Sequence, residues 1–368
     1  MTFKPLNEND AVSTRTLLHE AIPLTGSIIS GSYLHPTTLL PGNLKTYAHG
    51  MFQTVYDYPY LSSSANHVFD ATCGVSSQTN LTVTSMASKK RNIYGQMSQL
   101  LSGYDATGSV QLFDADGDFF AVGQKMKEVF VLPFSRLLVK DEIKKETFEM
   151  KVSVTDWWSA AQPAAANADI ITISDVGAAT EYRVNSPAGE YGILYAPQNV
   201  GLLDVSATDH IKSIGGIDHW RCGLIYYQAG IVVLTGSIFS TLTSAGAGLD
   251  FYDGDTLDAA LAGDTIDDLN AGLLHRIKNV QFNNTTELNS TVYFCRVNHN
   301  EFNYSSNPTY LENSRIKVKT QSTDEPVSYI TTVGLYNDRN ELLATAKLSE
   351  SLKKSPSTEF TIRARLDY

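Results

Sequence analysis

The chain has 368 residues, of which 42% are hydrophobic and only 18% charged, with a net charge of −11 and a pI near 5.2. There is enough apolar material to bury a core, which excludes wholesale disorder, and the acidic balance argues against general affinity for nucleic acid or an anionic membrane, both of which need a basic face. No apolar run is long enough to span a bilayer, the opening Met1-Thr2-Phe3-Lys4-Pro5-Leu6-Asn7 has no apolar leader core, and Cys73, Cys222 and Cys295 have neither zinc-ligand nor disulfide-framework spacing.

The expectation is a protein folded in the cytosol with reduced thiols. The missing charge is replaced by Ser, Thr, Asn and 19 Tyr, a composition that suits strands and packed subunits. Residues 1–60 are rich in Pro, Gly, Ser, Thr and Tyr and are expected to form an extended arm. Within it a short helix is predicted over Ala11–Ala21, with Leu17, Leu18 and Ala21 as a weak apolar stripe.

Residues 61–154 form a mixed α/β segment. His67–Val75 predicts a strand. Ser88–Leu101 predicts a helix capped by Ser88, with Ile93, Met97, Leu100 and Leu101 on its apolar face and Gly103 as its stop. Gln111–Phe113 and Phe119–Val122 flank Asp114-Ala115-Asp116-Gly117-Asp118 as a hairpin, Lys127–Val139 is an apolar stretch broken at Pro133, and Phe148–Val154 alternates as a half-buried strand.

Residues 155–279 read as a hairpin-rich segment with one short helix. Glu190–Tyr195 followed by Asn199–Asp204 is matched by Arg221–Tyr226 followed by Ala229–Leu234, which predicts two adjacent hairpins in one sheet. Ile266, Leu269, Leu273 and Ile277 mark the helix, with acidic residues at its start and His275-Arg276 near its end. Residues 280–368 read as an antiparallel β domain with strands at Val280–Phe282, Thr291–Val297, Arg315–Thr320, Tyr329–Tyr336, Leu342–Leu348 and Phe360–Leu366. The fold class is therefore α+β, β-dominated, with a few short helices and an antiparallel β-rich C-terminal domain.

Catalytic signatures are absent. The chain has no GxSxG and no HExxH, and the Gly-rich Thr243–Gly248 lacks the lysine of a phosphate loop. Asp114, Asp116 and Asp118 alternate like calcium ligands, but position twelve of that loop is Lys125 where a bidentate glutamate is needed, so turn chemistry explains them as well. Trp157, Trp158 and Trp220 can stack on sugars or pack in a core. The basic runs Lys89-Lys90-Arg91 and Lys353-Lys354 can meet an acidic partner or simply be solvated. No catalytic, cofactor-binding or metal-binding residue is assigned.

Three segments carry a resemblance: Asn300–Tyr310; Ser328–Asn337 followed by Glu341–Leu348; and Met126–Glu128 leading to Phe134–Lys145. Together they resemble virion structural proteins of tailed bacteriophages, above all large contractile-tailed ones, and the Ile-Thr-x-Val-Gly-Leu-Tyr-Asn hairpin is similar to one in tail and baseplate-associated fibre proteins. The resemblance implies a non-enzymatic subunit in tail or baseplate, assembled in the host cytoplasm into the virion. Its partners would be other virion proteins and further copies of itself, a homo-oligomer without nucleic acid or membrane. A neck, collar or head-decorating subunit is the alternative place, and a carbohydrate-binding receptor module the alternative class. The expected assembly contacts are Tyr33, Leu34, Tyr58 and Tyr60 in the arm and Tyr329, Ile330, Val333, Leu335 and Tyr336 in the hairpin, through strand pairing and buried surface. A closed sheet inside the domain, and an arm packed on its own domain, are the other readings of those two segments.

Overall fold

A computed structural model describes residues 4–24, 42–118, 125–154, 158, 170–197, 211–240, 250–305, 307–313, 315–316, 321, 323 and 325–368. In chain order the first elements are β1 (Ala11–Leu24), β2 (Leu44–Thr46), β3 (Gln53–Tyr56), β4 (His67–Val75) and α1 (Ala87–Leu101). Next come β5 (Phe113–Asp114), β6 (Lys125–Met126), β7 (Glu128–Pro133), α2 (Arg136–Val139), β8 (Glu142–Ile143), β9 (Glu149–Ser153) and β10 (Ile170–Ser174). They are followed by α3 (Ala178–Glu181), β11 (Arg183–Ser186), β12 (Gly189–Pro197), β13 (Ile211–Ile214), β14 (Ile217–Tyr226) and β15 (Ile231–Thr235). The rest are α4 (Ser237–Ser240), α5 (Leu257–Gly263), α6 (Ile266–Arg276), β16 (Ile277–Val297), β17 (Leu311–Glu312), β18 (Arg315–Ile316), β19 (Ser328–Tyr336), β20 (Leu342–Lys354) and β21 (Phe360–Asp367). The protein is β-dominated with few short helices, as its composition and periodicity predict.

Two compact units result, His19–Thr286 and the pair Met1–Leu18 with Glu287–Tyr368. They cut across the four segments drawn from the sequence, because β1 and β16 each run from one unit into the other.

The larger unit is built on one antiparallel sheet in the order β9-β10-β12-β14-β15-β7-β4-β3-β2, with the first half of β16 beside β9. Its central strands are buried on both faces. In β7, Phe130 and Leu132 enter one apolar cluster and Val129 and Val131 the other; in β15, Val232 and Leu234 are divided in the same way from Ile231 and Val233. Burial on both faces explains why these strands read as continuous apolar runs without alternation. Each such side chain contributes about 1.5–3 kcal/mol by leaving water.

One cluster is closed by α5 and α6 through Leu257, Leu261, Leu269 and Leu273, and the other by Tyr94 and Leu101 of α1. Gly74 of β4 lets α1 approach, since a Cβ there would lie 2.8 Å from the Tyr94 backbone nitrogen. Thr265 caps α6 by accepting from the Asp268 N–H, and the Asp268 carboxylate accepts from the Thr265 N–H in return.

Several local expectations are corrected. Residues 11–21 are strand: Val12, Thr14 and Thr16 favour extended backbone, and β16 offers a long partner that outweighs a weak helical stripe. In α1 the first residue is Ala87, so Ser88 is not the cap, and Leu100 is 59% exposed while Lys90, Tyr94 and Ser98 turn inward. The polar run Asn283–Ser290, which reads as a break, is continuous strand because β8 and β21 pair with it. α5 has no counterpart in the sequence reading. The proposed hairpin arms at 119–122 and 199–204 lie outside the described residues.

Candidate assembly surface

The smaller unit contains a three-stranded stretch, β1-β16-β21, and a separate two-stranded ribbon, β19-β20. In the first, Ser290–Val297 of β16 pairs antiparallel with Asp367–Phe360 of β21. On the other side Ser13 and Thr291 bond through their hydroxyls at 2.9 Å. Asp10 accepts from Arg296 Nε at 2.7 Å, and Lys4 reaches Glu301 at 2.6 Å. β21 follows its period of two, with Ile362 and Ala364 buried while Thr361, Arg363, Arg365 and Asp367 are exposed. β1 is exposed along almost its whole length, including Val12, Leu17 and Leu18.

The apolar content of this unit is the observation that matters most. Among its described residues the buried apolar side chains are Val297, Ile362 and Ala364, and neither apolar cluster draws a residue from it. So small a core offsets the ordering of few residues.

The ribbon shows the same feature in a sharper form. β19 and β20 meet from Ser328–Lys354 at the base to Tyr336–Leu342 at the tip. The tip closes on Asn337, whose Oδ1 accepts from the Arg339 and Glu341 N–H groups, with Asn340 at φ +61°. Lys354 Nζ fastens the base by donating to His299 O, Asn303 Oδ1 and Ser355 O at 2.7–3.0 Å. Between base and tip Tyr329, Leu342 and Leu343 are exposed, and no third strand joins the ribbon among the described residues. A lone two-stranded hairpin has marginal stability in water.

The register slips between Ile330 and Thr332, where Thr331 of β19 and Leu348, Ser349, Glu350 and Ser351 of β20 are left outside the pairing. The sequence reading ended this strand at Leu348. The polar Ser-Glu-Ser run was the signal of a bulge, with the strand resuming beyond it to Lys354.

Of the expected contacts, Tyr329, Ile330, Val333, Leu335 and Tyr336 share β19, with Tyr329 exposed and the others half-buried. Tyr58 is exposed, while Tyr60 is half-buried beside the Tyr56 ring. The stretch from 44 to 56 supplies β2 and β3 to the sheet of the larger unit, with Gln53, Thr54 and Val55 buried. Tyr33 and Leu34 lie outside the described residues.

The chemical candidates resolve as follows. Asp114, Asp116 and Asp118 do converge, their ligand atoms lying within 4.8 Å of one another. Lys125, at the position where a calcium loop needs glutamate, instead turns its ammonium onto Asp114 Oδ2. Burial, followed by the hydrogen bond with Asp116, pushes the Asp114 carboxyl up to about 6. The Lys125 ammonium thus already offsets part of the charge of this cluster.

Lys90 is fully buried and donates to Leu261 O and Asp264 O at the end of α5. It and Lys354 are structural cations, so each basic run places one member inside the protein; two adjacent lysines in sequence carry no sign of this. Trp220 is buried, and Trp158 packs on Tyr252 and His275 with ring centroids 4.6 and 5.3 Å away; Trp157 lies outside the described residues. Burial raises the Cys73 thiol to about 12, which removes it from reactive chemistry at neutral pH. No helix among the described residues is long and apolar enough to cross a membrane.

No family model, no curated protein and no solved structure matches this chain.

Proposed function

We propose that this chain is a non-enzymatic structural subunit of a tailed-phage virion, placed in the tail or baseplate, that works by strand pairing and buried surface with other virion proteins and with its own copies. The observation that carries the assembly part is the smaller unit's near-lack of core, together with its exposed strands: surface of this kind gains stability when another chain covers it. The tailed-phage part rests on the sequence resemblance of 126–145, 300–310 and 328–348. Consistent with a binding role, the buried ionisable groups Asp114, Lys90 and Lys354 are each held by structural partners.

The test is recovery of the chain from particles made by a host carrying the source genome. Mass spectrometry of purified, washed particles is expected to find it, and gold labelling is expected to place it on the tail or baseplate. Particles that lack it refute the proposal, and label on the head or neck moves the subunit to that position.

A further inference from the structure

We propose that His67 and Asp70 form a pH-sensitive latch across the β-bulge at Val68, and that the latch steadies the loop 57–66, which carries Tyr58 to the surface. The use of this loop as a contact rests on the assembly reading above; the latch itself does not.

In a regular strand, residues three apart point to opposite faces. His67 and Asp70 are three apart in β4, yet their side chains meet, with His67 Nε2 3.1 Å from Asp70 Oδ1. The register explains this contact. Thr54 of β3 faces Asp70 and Val55 faces Phe69, but Tyr56 faces His67, so Val68 is the extra residue of a bulge. The extra residue brings His67 round to the face of Asp70. The pair can form only while the bulge stands.

The two faces of the bulge are held differently. On the inner face Val68 is buried in the apolar cluster, and its carbonyl accepts from the Ser135 N–H at 2.9 Å. That anchor does not depend on pH. On the outer face the strands are tied by side chains, since Asp70 Oδ1 accepts from the Thr54 hydroxyl at 2.7 Å as well as facing His67. The loop begins directly beyond. The Asn66 N–H and side-chain amide donate to the Asp57 carboxylate at 2.7 and 2.9 Å. The Tyr56 ring lies 6.3 Å from the His67 ring and 6.5 Å from the Tyr60 ring, so it passes the position of His67 on to the loop. Tyr58 and Leu61 are exposed on that loop.

Protonation sets the strength of the latch. The hydrogen bond to Asp70 raises the His67 ring above its ordinary value, burial opposes the rise, and the Phe69 backbone adds to it. Among the described residues Asp70 is the charge that acts on this ring. Of the other ionisable groups on these strands and the loop, Lys45 lies over the Tyr47 ring at 4.9 Å and Asp57 is engaged by Asn66. Burial, followed by Tyr47, raises the Tyr56 hydroxyl above 10. A cationic ring gives the Asp70 carboxylate a charge-assisted bond, and a neutral ring gives a weaker one. Because folded His67 holds its proton more tightly, the latch is complete below pH 6.5 and is lost as pH rises through the folded value.

The full chain labelled with 13C at His Cε1 tests this directly, the His67 signal being the one missing from His67→Gln. Its midpoint is expected above 6.5, and Asp70→Asn is expected to bring it to 6.5 or below. Hydrogen exchange of 57–66, read by mass spectrometry and corrected for the intrinsic effect of pH, is expected to be about two- to fivefold faster at pH 8.5 than at pH 6 in the wild type, the range of a half-exposed ion pair. In His67→Gln that difference is expected to vanish.

A His67 that titrates at or below 6.5 overturns the proposal, as does a wild-type loop that exchanges equally at both pH values or a His67→Gln variant that keeps the wild-type difference. If particles contain the chain while His67 titrates at or below 6.5, the latch fails and the virion reading stands. If the latch is measured but particles lack the chain, the virion reading fails and the latch stands.

Discussion

Asp175 offers the sharpest test of the packing described for the larger unit. It lies just beyond β10, is 1% exposed, and accepts from the Glu146 and Phe148 N–H groups at 2.8 and 3.1 Å and from the Tyr227 hydroxyl at 3.0 Å. Burial outweighs these three bonds and raises its carboxyl from 3.8 to about 6. Because the folded-state value is the higher one, the folded protein prefers the proton. The stabilisation is complete below pH 3.8 and is lost as pH rises through 6.

The gap between the two values corresponds to about 3 kcal/mol. In Asp175→Asn this dependence disappears. At low pH the variant is expected to be less stable by about 1 kcal/mol, because its amide nitrogen faces a backbone N–H that the carboxyl accepted. Between pH 4 and pH 7 the difference is expected to swing by about 2.4 kcal/mol in the variant's favour. Trp157, Trp158 and Trp220 all lie within the larger unit, so urea unfolding followed by Trp fluorescence reads that unit alone. A wild-type-minus-variant difference that is flat from pH 4 to pH 7 would refute the assignment of Asp175 as a buried carboxyl whose proton folding favours.

Three further outcomes follow from the same structure. At low protein concentration the smaller unit, with few buried apolar side chains among its described residues, is expected to unfold first, so the far-UV circular dichroism midpoint in urea should fall below the Trp fluorescence midpoint; coincident curves would show that it has stability of its own. Gly74→Val is expected to destabilise the larger unit by about 1–3 kcal/mol, since its side chain must displace the α1 backbone at Tyr94; an unchanged fluorescence midpoint would contradict that close approach. Lys354→Met removes the three bonds at the base of the ribbon, so limited proteolysis is expected to open the 298–305 loop at least several-fold faster while leaving the larger unit intact; equal cleavage rates would remove Lys354 from that role.

The sequence by itself determined those parts that local chemistry decides. The apolar run at 231–234 reads as a strand, the spacing of Ile266, Leu269 and Leu273 marks a helix, and the alternation at 361–367 assigns its two faces without a partner in view. The tertiary structure decided what depends on distant neighbours. Residues 11–21 became strand because β16 lay ready to pair, and Lys90 and Lys354 went inside because free carbonyls awaited them. Hydrogen-bond partners for a strand edge or a buried ammonium come from residues far along the chain, and no local pattern of apolar and polar residues encodes them.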